Sequence, residues 1–194
     1  MFLDKTDIDG AWISKPVVNR DDRGYLIEQF ILQDAQDVLG CVFSIAQTNQ
    51  SVSKRGVLRG IHYSLGPESA VKFVTCTQGA VLDFVVDLRF ASKTFGKWTS
   101  ALLSAENTNG MLIGKGLGHA FLSLEDNTKV NYLVSQRFNP DNDYSINALD
   151  KDIALSINLP DGTPGLNFND VIRSNRDSKA LTLQESLNLG LLPN

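Results

Sequence analysis

Residues 71–88 read VKFVTCTQGAVLDFVVDL, and this stretch indicates the fold class of the chain. It contains two runs of β-branched, aromatic and other apolar residues, 71–77 and 80–88, on either side of Gln78 and Gly79. Such runs are typical of β-strands, and a glycine break between two of them is typical of a hairpin. The stretch therefore predicts two neighbouring strands that pair with each other.

Further strand-like runs follow at residues 110–114, 119–124 and 129–135. Turn signals separate them, at Gly116, Gly118, Asp126-Asn127 and Asn139-Pro140. Many short strands at this spacing favour an all-β sandwich or barrel.

Two short helices are also predicted. One runs from Leu32 to Leu39 and ends at Gly40, because glycine commonly follows the last helical turn. The other runs from residue 182 to 189, where Thr182 and Glu185 have the spacing of a capping box. Neither helix is long enough to organise the fold.

The size and composition fit one ordinary globular domain. The chain has 194 residues, of which 42% are hydrophobic and 21% charged. A chain of this size can bury a stable core without a disulfide or a metal. Cys41 and Cys76 form no Cys-x-x-Cys pair and lie in apolar runs, so we expect two buried free thiols of a reducing compartment.

Charge and termini exclude several classes of protein. The net charge is -4 and no Lys/Arg-rich run is present, which argues against nucleic-acid binding. Residues 1–7 lack the pattern of a secretory signal, and no apolar window is long enough to cross a membrane. We therefore expect a cytoplasmic protein with no nucleic-acid or membrane partner.

The motifs for metal, hydrolytic and dinucleotide chemistry are missing. The only histidines are His62 and His119, without a His-x-His or His-Glu-x-x-His spacing, so we expect no metal site. No Gly-x-Ser-x-Gly nucleophile motif occurs. The glycine-rich segment 114–118 continues into a strand-like run instead of a helix, so it is not a phosphate loop. The sequence thus predicts no cofactor.

Acid–base chemistry at a carbon atom is the remaining enzymatic possibility. It requires a base, an acid and a group that stabilises an enolate, and His62, Tyr132 and Lys72 are residues of these types. Each also has a structural interpretation, since a strand lysine can extend to solvent and a strand tyrosine can belong to the core. The residues alone leave both interpretations open.

Five motifs in order along the chain make the pattern more specific. They are Asp22-Arg23-Gly24-Tyr25, residues 55–63 (RGVLRGIHY), residues 79–89 (GAVLDFVVDLR), residues 92–98 (SKTFGKW) and residues 116–121 (GLGHAF). Together they resemble the dTDP-4-dehydrorhamnose 3,5-epimerase family, from about Asp22 to the C-terminal helix.

The resemblance implies a fold and an activity. The fold would be all-β, a cupin-type jelly-roll β-barrel with a few short helices. It would form one epimerase domain over 1–194, with an N-terminal segment, a central jelly roll at about 20–160 and a C-terminal helical tail. The family would act as a homodimer and without a cofactor on a nucleoside-diphospho-4-keto-6-deoxyhexose, dTDP-linked, in deoxysugar and lipopolysaccharide (O-antigen) biosynthesis.

The resemblance also implies four catalytic residues. His62 matches the base that removes a proton from carbon, and Asp177 matches the carboxylate that orients it. Lys72 matches the lysine near the 4-keto oxygen. Tyr132 matches the tyrosine that returns a proton from the opposite face, which inverts the centre at C3, C5 or both.

Eight further residues match substrate-binding positions. Arg23, Arg59 and His119 would contact the sugar nucleotide, mainly its diphosphate. Glu28 and Gln47 would lie near the nucleoside. The complete predicted set is Arg23, Glu28, Gln47, Asn49, Arg59, His119, Phe138 and Arg176.

Two residues depart from the family pattern. Ser64 stands where glutamine is frequent, and Phe138 stands where a second tyrosine is usual. Phenylalanine can stack but cannot form a hydrogen bond through its ring. These changes concern the fit of the substrate, so an epimerase specific for C3 alone or C5 alone stays an alternative. A cupin that binds a sugar without chemistry is a third possibility.

Overall fold

The protein is described by a computed structural model that covers residues 2–159, 166 and 170–194. The strands are β1 Phe2–Lys5, β2 Ala11–Lys15, β3 Val18–Asp21, β4 Gly24–Ile27, β5 Gln47–Ser53, β6 Leu58–Tyr63, β7 Lys72–Gln78, β8 Ala80–Asp87, β9 Trp98–Ser104, β10 Gly110–Ile113, β11 Leu117–Ser123, β12 Thr128–Val134 and β13 Tyr144–Ser145. The helices are α1 Leu32–Leu39, α2 Asn175–Ser178 and α3 Leu183–Asn188, with short 3₁₀ turns at Gly66–Glu68 and Pro140–Asn142.

Most of the strands form two antiparallel sheets. The six-stranded sheet has the order β1-β2-β10-β7-β12-β5, and the five-stranded sheet has the order β13-β6-β11-β8-β9. Val74, Met111 and Val130 of the first sheet share a buried cluster with Val85 and Phe121 of the second. The predicted all-β jelly roll is confirmed, but over the described residues its two main sheets pack face to face and do not close into one barrel.

The predicted hairpin at residues 71–88 is wrong. Strand β7 pairs with β10 and β12, whereas β8 pairs with β11 and β9 in the other sheet. Gly79 lies at the corner between them with φ +73°, and a Cβ there would lie 2.5 Å from Oγ1 of Thr128. Gly79 therefore allows the chain to turn sharply from one sheet into the other. The buried strands β7 and β8 contribute to the same core.

A second turn signal is also wrong. Gly118 lies inside β11, and a Cβ at this position would lie 2.4 Å from Cγ2 of Ile61. The glycine is required by the close approach of β6, because any side chain would displace it. The signal at Asp126-Asn127 does lie in the turn before β12.

Both predicted helices are confirmed. Helix α1 ends at Gly40, which has φ +63°. Helix α3 begins after Thr182, whose hydroxyl accepts from the backbone N–H of Glu185 while the Glu185 carboxylate accepts from the backbone N–H of Thr182. This is the expected capping box. No helix among the described residues has the length and apolar character needed to span a membrane.

The two thiols differ in burial. Both cysteines are free, and Cys76 is buried as expected, but Cys41 is only half-buried. It follows α1 and Gly40 directly, at a bend of the surface where the chain leaves the helix.

Candidate active site

A cavity of about 640 Å³ lies between the two sheets. The six-stranded sheet contributes Gln47, Asn49, Lys72, Tyr132 and Val134, and the five-stranded sheet contributes Arg59, His62, Tyr63, His119 and Phe121. The remaining lining residues are Ala46, Ser64, Ala70, Gln136, Arg137, Phe138, Asn139, Asn142, Asp143 and Arg176. Most of the residues predicted from the sequence thus meet in one place.

His62 and Asp177 form a hydrogen-bonded pair at the edge of this cavity. Nε2 of His62 lies 2.7 Å from Oδ1 of Asp177, and the two side chains are 33% and 4% exposed. Asp177 belongs to α2, whose first turn is fixed because Oγ of Ser174 accepts from the Asp177 backbone N–H. The carboxylate therefore reaches His62 from a rigid helical turn.

The ionisation of Asp177 suits this pairing. Burial alone would raise the pKa of Asp177, but the hydrogen bond and charge of His62, together with hydrogen bonds from Ser174 and the Gly60 backbone, outweigh it. The pKa lies below its ordinary value of 3.8. An ionised Asp177 fixes the tautomer in which Nε2 of His62 carries the hydrogen, and it can stabilise an imidazolium.

Lys72 is the first residue of β7 and directs its ammonium group into the cavity. Nζ of Lys72 donates to the backbone carbonyl of His62 at 3.3 Å. Burial lowers the pKa of Lys72, while the charges of Asp143 and Asp83 oppose this decrease. A cation in a partly desolvated site is suited to stabilising a developing negative charge on oxygen.

Tyr132 reaches the same cavity from the opposite sheet to His62. It lies in β12, and its ring meets the ring of His119 edge-on at a centroid distance of 6.0 Å. Burial raises the pKa of the Tyr132 hydroxyl far above neutral pH. The phenol is therefore protonated and available as a proton donor.

His119 forms a second histidine–carboxylate pair, which sequence reasoning missed. Nε2 of His119 lies 2.7 Å from Oδ2 of Asp83, and the side chains are 6% and 0% exposed. Burial raises the pKa of Asp83, although the charges of His119 and Lys72 oppose this. Asp83 is an acidic residue inside the apolar run 80–88, and this was the signal that could have revealed it.

Two arginines at the cavity are held by hydrogen bonds. Nε of Arg59 donates to Oγ of Ser53 at 3.2 Å, and its Nη2 donates to the carbonyl of Val52 at 3.2 Å. Arg176 forms an ion pair with Asp143 and also donates to the Asp143 carbonyl at 2.9 Å. Asp143 was another residue that the sequence analysis did not single out.

Gln47, Phe138 and Ser64 define the polar and aromatic parts of the rim. The backbone N–H of Phe138 donates to Oε1 of Gln47 at 2.9 Å, and the ring of Phe138 is 64% exposed. Oγ of Ser64 accepts from the backbone N–H of Ala70 at 3.1 Å. The Ser64 hydroxyl thus supports the loop before β7 while it lines the cavity.

Two predicted binding residues do not line the cavity. Arg23 lies at the exposed turn between β3 and β4 and pairs with Asp21, and Glu28 follows β4. The reason is that the β3–β4 hairpin pairs with neither sheet. The contribution of Arg23 and Glu28 to substrate binding stays a prediction.

The described residues contain no cluster of three or more His, Cys, Asp or Glu side chains arranged to hold a metal ion. Instead, each histidine is bonded to one carboxylate of its own. The arrangement can move protons and stabilise negative charge on oxygen within a cavity of the size of a small ligand.

Comparison with known proteins assigns the family. The model of the family described as dTDP-4-dehydrorhamnose 3,5-epimerase matches residues 5–185. The chain belongs to this family, which confirms the resemblance and, with it, the predicted class of sugar-nucleotide epimerases.

Three relatives illustrate the range of similarity. A dTDP-4-dehydrorhamnose 3,5-epimerase of Mycolicibacterium smegmatis is 40% identical over 193 residues, which are 100% of this chain and 91% of that protein. An epimerase of known structure from Mycobacterium tuberculosis is 36% identical, with a TM-score of 0.91, and the match covers 100% of this chain and 94% of that chain. A 3'-monoepimerase from Streptomyces bikiniensis, in complex with dTDP-quinovose, is 40% identical, with a TM-score of 0.85 and coverage of 97% and 91%.

Proposed function

We propose that this chain epimerises a dTDP-linked 4-keto-6-deoxyhexose at C3, C5 or both, with His62 as the base and Tyr132 as the acid. The observation that carries the proposal is that these two side chains enter one cavity from opposite sheets. Inversion at carbon needs a proton removed from one face and returned to the other. A base and an acid on facing sheets meet this requirement.

The proposed first step removes a proton from the carbon next to the keto group. His62 takes the proton on Nδ1, because Nε2 is engaged by Asp177 at 2.7 Å. The electron pair of the C–H bond moves into the adjacent C–C bond, and the carbonyl electrons move to O4. The ammonium group of Lys72 stabilises the resulting enolate, and Asp177 stabilises the imidazolium.

The second step restores the ketone. The enolate collapses, the carbon takes a proton from the Tyr132 hydroxyl on the other face, and the centre is inverted. Tyr132 is left as a phenolate, and His62 retains the abstracted proton. Exchange with solvent then returns both residues to their initial protonation states.

Substrate binding is assigned to the remaining cavity residues. Arg59, Arg176 and His119 supply donors for a diphosphate, which charge-assisted hydrogen bonds bind strongly. Gln47, Asn49 and the exposed ring of Phe138 at the rim suit a nucleoside. The dTDP-quinovose in the S. bikiniensis relative supports a dTDP-linked substrate.

The 3'-monoepimerase among the relatives makes C3-only epimerisation the second candidate. We also propose one functional domain over 1–194, a homodimer and a cytoplasmic location. Support for the homodimer comes from the β3–β4 hairpin, where Tyr25 is 50% and Leu26 72% exposed. A second copy of the chain could cover such an apolar surface.

The test is solvent exchange into the substrate. The protein is incubated with dTDP-4-keto-6-deoxyglucose in D₂O, and NMR follows deuterium content and configuration at C3 and C5. We expect deuterium together with inversion at one or both carbons; labelling of one carbon alone identifies a mono-epimerase. A folded protein that binds the nucleotide sugar but labels neither carbon would be a sugar-binding cupin and would overturn the proposal.

Tyr132→Phe separates the two halves of the reaction. Abstraction by His62 continues in this variant, but the enolate has lost its donor on the far face and is mostly reprotonated by the imidazolium. We expect inversion to fall steeply and deuterium uptake with retained configuration to fall less. Equal losses of both, or a loss of neither, would remove Tyr132 from the acid role.

A further inference from the structure

Ser51 is a neighbour of Tyr132 that none of the assignments above uses. In the β5–β12 pairing, Asn49 lies opposite Tyr132 and Ser51 lies opposite Val130. Paired residues and alternate residues of a strand share a face of the sheet, so Ser51 and Tyr132 are diagonal neighbours on one face. A diagonal neighbour is within reach of a tyrosine side chain.

The Ser51 hydroxyl is buried and has no regular hydrogen bond. Its Oγ is shielded from solvent, and no group in the described structure lies at hydrogen-bonding distance with suitable angles. Buried polar atoms are rarely left in this state, since an unsatisfied hydroxyl destabilises the fold. A hydrogen-bonding partner that is present during the reaction would explain why a buried hydroxyl occupies this position.

Tyr132 is the group with which this hydroxyl interacts. Burial raises the pKa of Tyr132, and the first influence that opposes the increase is hydrogen bonding with Ser51, followed later by the charge of Arg59. The two hydroxyls are therefore close, although their geometry falls short of a full hydrogen bond. Catalytic hydrogen bonds are often loose in the free enzyme and tighten in the complex.

We propose that Ser51 is a positioning residue that holds the Tyr132 hydroxyl toward the enolate and donates a hydrogen bond to the phenolate formed when Tyr132 gives up its proton. The inference rests on the proposed function, because it assigns Ser51 to the reprotonation step. No bond to Ser51 is made or broken except this hydrogen bond. Ser51 thus controls how often the enolate is protonated from the inverting face.

The test compares Ser51→Ala with Ser14→Ala. The Ser14 hydroxyl is also buried, has no hydrogen-bond partner among the described residues and lies in the same six-stranded sheet, but in β2, which pairs with neither β5 nor β12. We expect Ser51→Ala to reduce the ratio of inversion to deuterium uptake about tenfold, the usual effect of one hydrogen bond, with KM almost unchanged. Ser14→Ala should keep the wild-type ratio.

Two further measurements separate positioning from general damage to the fold. In the Tyr132→Phe background, Ser51→Ala should cause no additional loss, because Ser51 acts through the Tyr132 hydroxyl. Ser51→Cys, with a weaker donor of similar shape, should give an intermediate ratio.

The outcomes distinguish this inference from the proposed function. A wild-type protein that labels neither carbon refutes the proposed function itself. An active wild-type protein in which Ser51→Ala behaves like Ser14→Ala refutes only the role of Ser51. Equal additional losses from Ser51→Ala in the wild-type and Tyr132→Phe backgrounds also refute it.

Discussion

The two histidine–carboxylate pairs have the same length but different surroundings. Each has a histidine Nε2 within 2.7 Å of a carboxylate oxygen. His62 is 33% exposed, whereas His119 is 6% exposed. The pKa of Asp177 lies below its ordinary value, and burial raises the pKa of Asp83 above it.

The pKa values of Asp177 and Asp83 shift in opposite directions because the two carboxylates differ in solvation and in their additional hydrogen bonds. Asp177 accepts from Ser174 and the Gly60 backbone as well as from His62, so its charge is well stabilised. One oxygen of Asp83 has no hydrogen-bond partner among the described residues, and the carboxyl group is fully buried. Hydrogen-bond distance alone therefore does not identify a base; the greater exposure of its side chain and a stable counter-charge favour His62.

The largest expected effect comes from removing the base. His62→Asn should lower deuterium uptake at C3 and C5 by about 10³- to 10⁴-fold, the upper range for a general base, while circular dichroism shows an intact fold. The matched variant His119→Asn should raise KM more than it lowers kcat, since His119 is assigned to binding. Near-normal uptake by folded His62→Asn would reverse the roles of the two pairs.

Replacing the carboxylate of either pair should lower the rate of exchange by a smaller factor. Asp177→Asn should lower kcat for exchange about 100-fold, because an amide can favour the wrong imidazole tautomer and cannot stabilise the imidazolium. Asp83→Asn should cost about tenfold or less, since it changes only the orientation of a binding histidine and the charge near Lys72. An equal or greater loss in Asp83→Asn would contradict the comparison.

Sequence patterns identified the unusual strand residues but not their partners. Lys72 and Tyr132 stood out as polar residues in apolar runs, and both line the cavity. Asp177 lies 115 residues from His62, so no local spacing could connect them. Only the family resemblance indicated that pair.

Local patterns also could not distinguish a hairpin from a corner. A glycine between two apolar runs is required in both cases, and the choice at Gly79 depends on which strands approach from elsewhere in the chain. The position of Arg23 was unpredictable for a similar reason. Its hairpin pairs with neither sheet, and this is a property of the tertiary structure.

The pH dependence of stability should have opposite signs for the two carboxylates. The folded-state pKa of Asp177 is lowered, so its stabilising contribution is present above its ordinary value of 3.8 and is lost as the pH falls through the folded pKa. The free energy of unfolding of the wild type relative to Asp177→Asn should therefore decrease toward acid pH. Urea unfolding at intervals from about pH 6 down to about pH 2 measures this.

Asp83 should behave in the opposite way. Its folded-state pKa is raised, so its ionised form opposes folding, and this penalty grows as the pH rises from 3.8 toward the folded pKa. The wild type should lose stability relative to Asp83→Asn over that interval. Parallel curves for the two variants would show that the two carboxylates have the same environment.

Removing metal ions with a chelator should have the smallest effect on activity. Prolonged treatment with EDTA should leave kcat and the exchange pattern unchanged, because each histidine is bonded to one carboxylate and no larger ligand cluster occurs in the described ranges. Elemental analysis of the untreated protein provides the control. A stoichiometric transition metal whose removal abolishes exchange would replace both pairs by a metal site.

The position of Asp177 along the chain has a consequence for biosynthesis. Helix α2 follows every strand of both sheets, and parallel bridges from Val57 to Ile172 and from Ile146 to Leu181 fix the segments on either side of it. Because a ribosome delivers the N-terminal part first, both sheets can assemble around the cavity while the carboxylate is still inside the exit tunnel. A nascent chain, or one cleaved before α2, lacks the carboxylate that pairs with His62, so we expect the His62–Asp177 pair to form only after residue 177 has left the exit tunnel.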